Sequence, residues 1–376
     1  MHTQKAGHHT PRRRQFKHYW PALAVFLIAL SGGTFFLFFF PSVTHVGLAD
    51  AEFLPVPKPV LDKTAYNAKM LFLANYSPRA NASSTSPVDF AVSSATTTVH
   101  IPGKPWPAGT AYPNVGALLP FNRIVAYYGN FYSKGMGVLG QYPHDEMIAK
   151  LKNEIANWQA ADPQTPVIPA IDYIVITAQG SAGKDGKYRL RMPDDQIDKA
   201  LALAKEVDGI VILDVQVGLS DLPTELPIYE NYFKMPNVHL AIDPEFAMHD
   251  GVKPGRVIGS FSSADVNFAA NYLAKLVKEN DLPPKILIIH RFTEDMVTGY
   301  KNIRPLPEVQ MIMDMDGWGF AAKKINTYNS VIWTEPVQFT GFKLFYKNDL
   351  LPPSTRMLTP SEIIDLKPSP SFIQYQ

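Results

Sequence analysis

From Arg123 onward, short apolar runs alternate with stretches whose apolar positions recur every three or four residues. The runs Ile124–Tyr128, Val167–Ile176, Ile210–Val215, Val238–Asp243, Lys285–His290, Val309–Asp314, Gly341–Tyr346 and Phe372–Tyr375 read as strands. Between them, Ile148, Leu151, Ile155 and Trp158 fall on one helical face, with charges elsewhere. Ile197, Leu201, Leu203 and Ala204 mark a second helix after the start signals Pro193 and Asp194. Phe268, Tyr272, Leu273 and Leu276 mark another. Strand and helix in alternation predict βα units around a parallel sheet. Eight strands within residues 121–376 match the size of a (β/α)8 TIM-type barrel. A doubly wound sheet is the rival, but no glycine-rich phosphate loop follows the first strand.

Upstream, the pattern breaks. Tyr19–Phe40 is a run of 22 residues without formal charge, enough to cross a hydrocarbon core of about 30 Å as a helix. Residues 1–50 are therefore expected to be a basic cytoplasmic segment and a transmembrane signal anchor, with the body outside the cytoplasm under the positive-inside rule. Arg13-Arg14-Gln15-Phe16-Lys17 resembles a twin-arginine export signal. Ala49-Asp50-Ala51 offers small residues for cleavage, in which case the body would be secreted rather than held at the cell membrane. Residues 51–120, rich in Pro, Ser and Thr, read as an extended linker, with Asp89–Val92 and Thr96–His100 as short strand candidates. Asn75 and Asn81 head glycosylation sequons.

The charge count changes the picture only when divided. The chain carries 35 basic and 34 acidic residues, but five of the bases lie in residues 1–18 with no acid among them. The remainder, 30 against 34, has no electrostatic footprint for nucleic acid. The absence of cysteine excludes disulfides, thiolate nucleophiles, Cys-ligated zinc and iron–sulfur clusters. With no P-loop, dinucleotide fingerprint or serine nucleophile elbow either, no cofactor is expected.

A barrel directs attention to the C-terminal ends of its strands. Alternation in Val238–Glu245 turns His239, Ala241 and Asp243 toward the barrel axis and leaves Glu245 just above. The same parity brings Asp214 and Gln216 inward at the end of the third strand. Asp172 belongs to the second strand, His290 ends the fifth, Asp314 and Asp316 end the sixth, and Lys343 lies on the seventh. Singly, each has a plain alternative: an aspartate at a strand end caps the next helix, and a lysine neutralises an acidic rim. Five of eight strands ending in a titratable group on one face exceed what caps require. Aromatic residues accompany them: Tyr127, Tyr128, Phe131 and Tyr132 after the first strand, then Phe246, Phe292, Trp318 and Phe320. Rings beside carboxylates suit sugars, whose C–H faces stack while their hydroxyls hydrogen-bond. Tyr127, Tyr128, Gln216, Trp318 and Lys343 are the expected substrate contacts.

Ala126-Tyr127-Tyr128-Gly129, Met136–Gly140, Leu213–Gly218, Ile242-Asp243-Pro244-Glu245, Phe292–Met296 and Gly341–Tyr346 together resemble a group of bacterial secreted or lipoprotein-type barrel proteins. The resemblance implies the barrel and an envelope location and assigns no reaction. Unlike the lipoprotein members, this chain has no cysteine to acylate. Ile242-Asp243-Pro244-Glu245 is also loosely similar to the acidic fourth-strand motif of glycosidase barrels such as chitinases, without their longer run of aspartates. Three functions follow as expectations. The first is a glycoside hydrolase acting on envelope glycan, with Glu245 as general acid, Asp214 or Asp316 as partner carboxylate, and Asp243 and His290 in the catalytic set. The second is a non-catalytic barrel that binds glycan or protein. The third is a metal-dependent hydrolase or isomerase with His290, Asp214 and Glu245 as ligands, although no metal-binding spacing occurs in the chain.

Overall fold

Val and Ile dominate the strands, as expected for β-structure buried on both faces. In the computed structural model, which describes residues 60–76 and 96–376, the barrel strands are β1 (Arg123–Gly129), β2 (Val167–Ala178), β3 (Ile210–Val215), β4 (Val238–Ile242), β5 (Lys285–Arg291), β6 (Val309–Met315), β7 (Phe339–Leu344) and β8 (Phe372–Tyr375). Each pairs in parallel with the next, and β8 pairs with β1, so the sheet closes without an edge. This is the expected TIM-type barrel. The seventh strand starts and stops two residues earlier than the apolar run implied, because Phe345 N–H turns to the Asp349 carboxylate.

The helical layer is uneven. Helix α2 (His144–Ala161) follows β1, α3 (Asp194–Glu206) follows β2, and α4 (Ser263–Glu279) lies between β4 and β5. The short α5 (Ala321–Thr327) and α6 (Pro360–Ile364) precede β7 and β8. Between β5 and β6 the helical segments are single turns, beside a two-residue strand, Val297–Thr298, that pairs with Phe261–Ser262. Of the positions read as helix faces, Ile148, Leu151 and Trp158 of α2 and Ile197, Leu203 and Ala204 of α3 are buried against the outer strand faces, while Ile155 and Leu201 are only partly buried.

The opposite strand parity fills the barrel. Ile124, Ala126, Ala170, Ile210, Ile212, Ala241, Ile286, Ile288, Ile312, Phe339 and Phe372 form one inner cluster toward the strands' N-terminal ends. Its lower side is covered by a helix that the sequence pattern did not reveal. Within the stretch expected as extended linker, α1 (Lys63–Ala74) seats Tyr66 and Met70 in this cluster. Leu119 joins them and exchanges two hydrogen bonds with the Gln310 side chain of β6, at 3.0 and 2.7 Å. Trp106 is buried, its indole donating to Trp333 O at 2.9 Å. The core thus begins well before Phe121. The physical reason is that α1 has only a weak amphipathic signal of its own and is stabilised by what it covers.

Asn75 closes α1 in a left-handed conformation, and its buried amide donates to Ile364 O and Leu366 O. The sequon there is a helix cap, inaccessible in the folded chain. The expected membrane span at residues 19–40, the Ala49–Ala51 cleavage segment, Asp89–Val92 and Asn81 lie outside the described residues. Among those described, no helix is long and apolar enough to cross a membrane. Thr97 makes a single antiparallel bridge to Ala111 rather than a strand.

Candidate active site

Above the apolar inner cluster the inward positions turn polar: Tyr128 on β1, Asp172 on β2, Asp214 on β3, His290 on β5, Asp314 on β6, Lys343 on β7 and Gln374 on β8, all buried. Room for this layer comes partly from Gly341, where an added Cβ would lie 2.4 Å from Asp314 Oδ1 and 2.9 Å from the Phe372 ring. In β2 the register shifts between Ile174 and Ile176 against β3, a bulge that puts both Val175 and Ile176 on the helix side.

His290 is the hub. Its Nε2 donates to Asp214 Oδ2 at 2.8 Å, and its Nδ1 lies 3.3 Å from both Asp314 Oδ2 and Asp316 Oδ2. Those two contacts are charge attractions without an aligned hydrogen bond, since Nδ1 and both Asp314 oxygens have no hydrogen-bond partner. Burial disfavours the imidazolium, but Asp214 first, then Asp314 and Asp316, outweigh it and raise the His290 pKa well above that of a free imidazole. Burial pushes the Asp172 carboxyl well up, helped by Asp214, while Gln374 Nε2 donates to its Oδ2 at 2.6 Å. Asp314 is raised for the same reason, against the opposing pull of His290.

The rim sits over this layer. Lys343 Nζ lies 3.0 Å from Asp316 Oδ1 and 3.9 Å from the Tyr128 ring centroid. Burial would lower the Lys343 pKa, yet Asp316, Asp243 and Asp314 together raise it. Gln216 accepts from Ala178 N–H and donates to the Tyr128 hydroxyl and to Asp243 Oδ2, each at 3.3 Å. Asp243 Oδ1 in turn accepts from Glu245 N–H at 3.0 Å, so the Asp243-Pro244-Glu245 turn is held by its own first residue. Burial raises the Asp243 carboxyl well above its usual value. Glu245, half-buried, is pushed up to about 7 by burial and then by the Asp316 charge, with Lys343 and His290 opposing.

These groups face a cleft of about 490 Å³ at the C-terminal mouth of the barrel. Of the sequence-predicted residues, Tyr128, Gln216, Asp243, Glu245, Asp316, Trp318 and Lys343 line it, with Phe246 and Phe292. Trp318 is 48% exposed and stands on a turn between Gly317 and Gly319. The other residues lie elsewhere. Tyr127 points to the helix side, its hydroxyl 2.9 Å from that of Tyr346, because it has the opposite parity to Tyr128. Phe131 stacks on Tyr173 at 4.7 Å, while Tyr132 and Phe320 are exposed off the cleft. Asp214 and His290 have no exposed surface and sit apart from the cleft lining. The metal set His290, Asp214 and Glu245 is therefore not assembled. Among the described residues, no group of three or more His, Asp or Glu is arranged to hold a metal ion.

Two functional supports were missed from sequence. Asp349 accepts from Gly319 N–H at 2.9 Å, Phe345 N–H at 3.0 Å and Lys324 Nζ at 2.6 Å, while Lys324 also donates to Lys343 O at 2.7 Å. This buried pair ties the Trp318 turn to the end of β7, where Lys343 stands. Burial lowers the Lys324 pKa to about 8 despite Asp349. The only sequence signal is a charged residue facing inward from a short helix.

No family model and no curated protein matches the chain. Among solved structures it is similar to one described as Cellulase Cel5C_n, at 14% identity and a TM-score of 0.34, over 59% of this chain and 65% of that one. The chain thus spans less than two thirds of that structure. At this depth the likeness assigns neither substrate nor reaction, and the barrel rests on its own strand pairing.

Proposed function

We propose that the cleft binds a saccharide and that Glu245 donates a proton to a glycosidic oxygen, in a barrel held at the outer face of the cell membrane by residues 19–40. The observation that carries this reading is one carboxyl with a pKa of about 7 in the same cleft as Trp318, Phe246 and Phe292. A group that holds its proton near neutrality and still reaches the cleft is what general acid catalysis of glycoside cleavage requires. Asp316 is the partner carboxylate, since it lines the cleft and Asp214 does not. Its oxygens face Lys343 and His290, so it serves better to stabilise positive charge developing on the sugar ring than to attack it.

That same engagement favours a second reading, a glycan-binding barrel without turnover, because both Asp316 oxygens are already committed to cations. Incubation with neutral and acidic envelope oligosaccharides, followed by product analysis, separates the two. Cleavage lost in Glu245→Gln supports the hydrolase. Binding without cleavage, weakened by Trp318→Ala, supports the binding barrel. Neither cleavage nor binding sinks both.

A further inference from the structure

The cations around the cleft are not equivalent. Lys343 pairs with Asp316, Lys324 with Asp349 and Arg291 with Glu335. Lys323 lines the cleft, is exposed, and makes no ion pair with any described residue. Its ammonium stands 4.8 Å from the Trp318 ring centroid. The placement is built into the backbone: Gly319 has φ +140°, and an added Cβ there would meet Lys323 Cδ at 2.8 Å. The glycine therefore lets the lysine stem cross the turn and brings its charge to the ring.

The electrostatics of the cleft follow from the pairings. Asp316 is paired with Lys343, and both Asp243 oxygens are engaged, one by Gln216 Nε2 and the other by Glu245 N–H. Of the two lysines that line the cleft, Lys343 has a carboxylate partner and Lys323 has none among the described residues. A neutral sugar on Trp318 would leave that ammonium without a partner. A sugar bearing a carboxylate would supply one.

We propose that Lys323 makes this cleft selective for acidic saccharides, through an ion pair with a sugar carboxylate seated beside Trp318. The inference rests on the saccharide reading above and narrows its substrate class.

The test is equilibrium binding to the full chain carrying Glu245→Gln, so that nothing is consumed. The probes are oligosaccharides containing glucuronate, galacturonate or N-acetylmuramate, each beside its carboxyl-reduced counterpart. At least one acidic probe should bind about fivefold more tightly than its reduced partner, the size of one partly exposed ion pair. The preference should disappear in Lys323→Gln, persist in Lys323→Arg, and shrink with added salt. Equal binding within every pair, sensitive to Trp318→Ala, overturns the acidic preference and leaves the saccharide reading standing. A preference that survives Lys323→Gln overturns the role of Lys323. If no probe binds, the inference falls together with the reading on which it rests.

Discussion

His290 and Asp214 share a 2.8 Å hydrogen bond across the barrel interior, and neither side chain has any exposed surface. The bond runs between β5 and β3, on either side of β4, so it braces the barrel just under the cleft. Removing the imidazole leaves Asp214 without its cation and Asp314 and Asp316 facing each other across a void. His290→Ala is therefore expected to cost about 3–5 kcal/mol in a denaturant titration, as breaking a buried pair does. The pH dependence has a definite sign. The folded pKa of His290 lies above its unfolded value of about 6.5, so its stabilisation is full below that pH and is lost as pH rises through the folded value. Wild-type stability should decline on the alkaline side more steeply than that of His290→Gln.

Glu245 sets the expected rate profile. The acid must be protonated to act, and its pKa is about 7, so kcat/KM for glycan cleavage should fall as pH rises through that value. Glu245→Gln should lower kcat by about 10²–10⁴-fold and remove that limb of the profile, with the circular dichroism spectrum unchanged.

Asp349 should matter to binding although it lies off the cleft lining. Asp349→Ala frees Gly319 N–H and Phe345 N–H and strands the buried Lys324 ammonium. Melting should shift down by an amount equivalent to about 3–5 kcal/mol. Asp349→Asn keeps one acceptor oxygen, for either Gly319 N–H or Phe345 N–H but not both, so its loss of glycan affinity should be smaller than that of Asp349→Ala.

The helix beneath the barrel is expected to be part of the fold. Tyr66 is fully buried, with its ring edge-on to Tyr112 and Phe121. Tyr66→Ala should destabilise by about 3–5 kcal/mol, comparable to other large-to-small core changes. A melting temperature equal to that of the wild type would show that α1 is an appendage.

How much was legible in the sequence depended on whether a residue's role was set by its own strand. Two-residue alternation places Asp214, Gln216 and Asp243 on the inner face, because parity in a strand is fixed by the pleat, whereas His290, Asp316 and Lys343 enter only by their position at or near strand ends. The same rule separates Tyr127 from Tyr128, and counting both as substrate contacts overlooked it. Whether an inner residue is exposed in the cleft or sealed below it depends on its height in the barrel. That is set by the register between strands, as where Asp214 lies opposite Ala241 while Asp243 stands one step above. No single run carries that information. Asp349 and α1 escaped for a related reason: each gains its meaning from partners distant in the chain, Gly319 for one and the strand ends for the other.

The stopper that Tyr66, Met70 and Leu119 place beneath the barrel makes the polar layer a blind chamber. Ile286, Ile288 and Ile312 lie in the apolar layer below His290, and Asp316, Lys343 and Asp243 line the cleft on its other side. A ligand filling the mouth would then cork the chamber. Whatever protonation the layer held at that moment would be kept until release, and the slowed exchange of the imidazole protons would report how long the ligand stays.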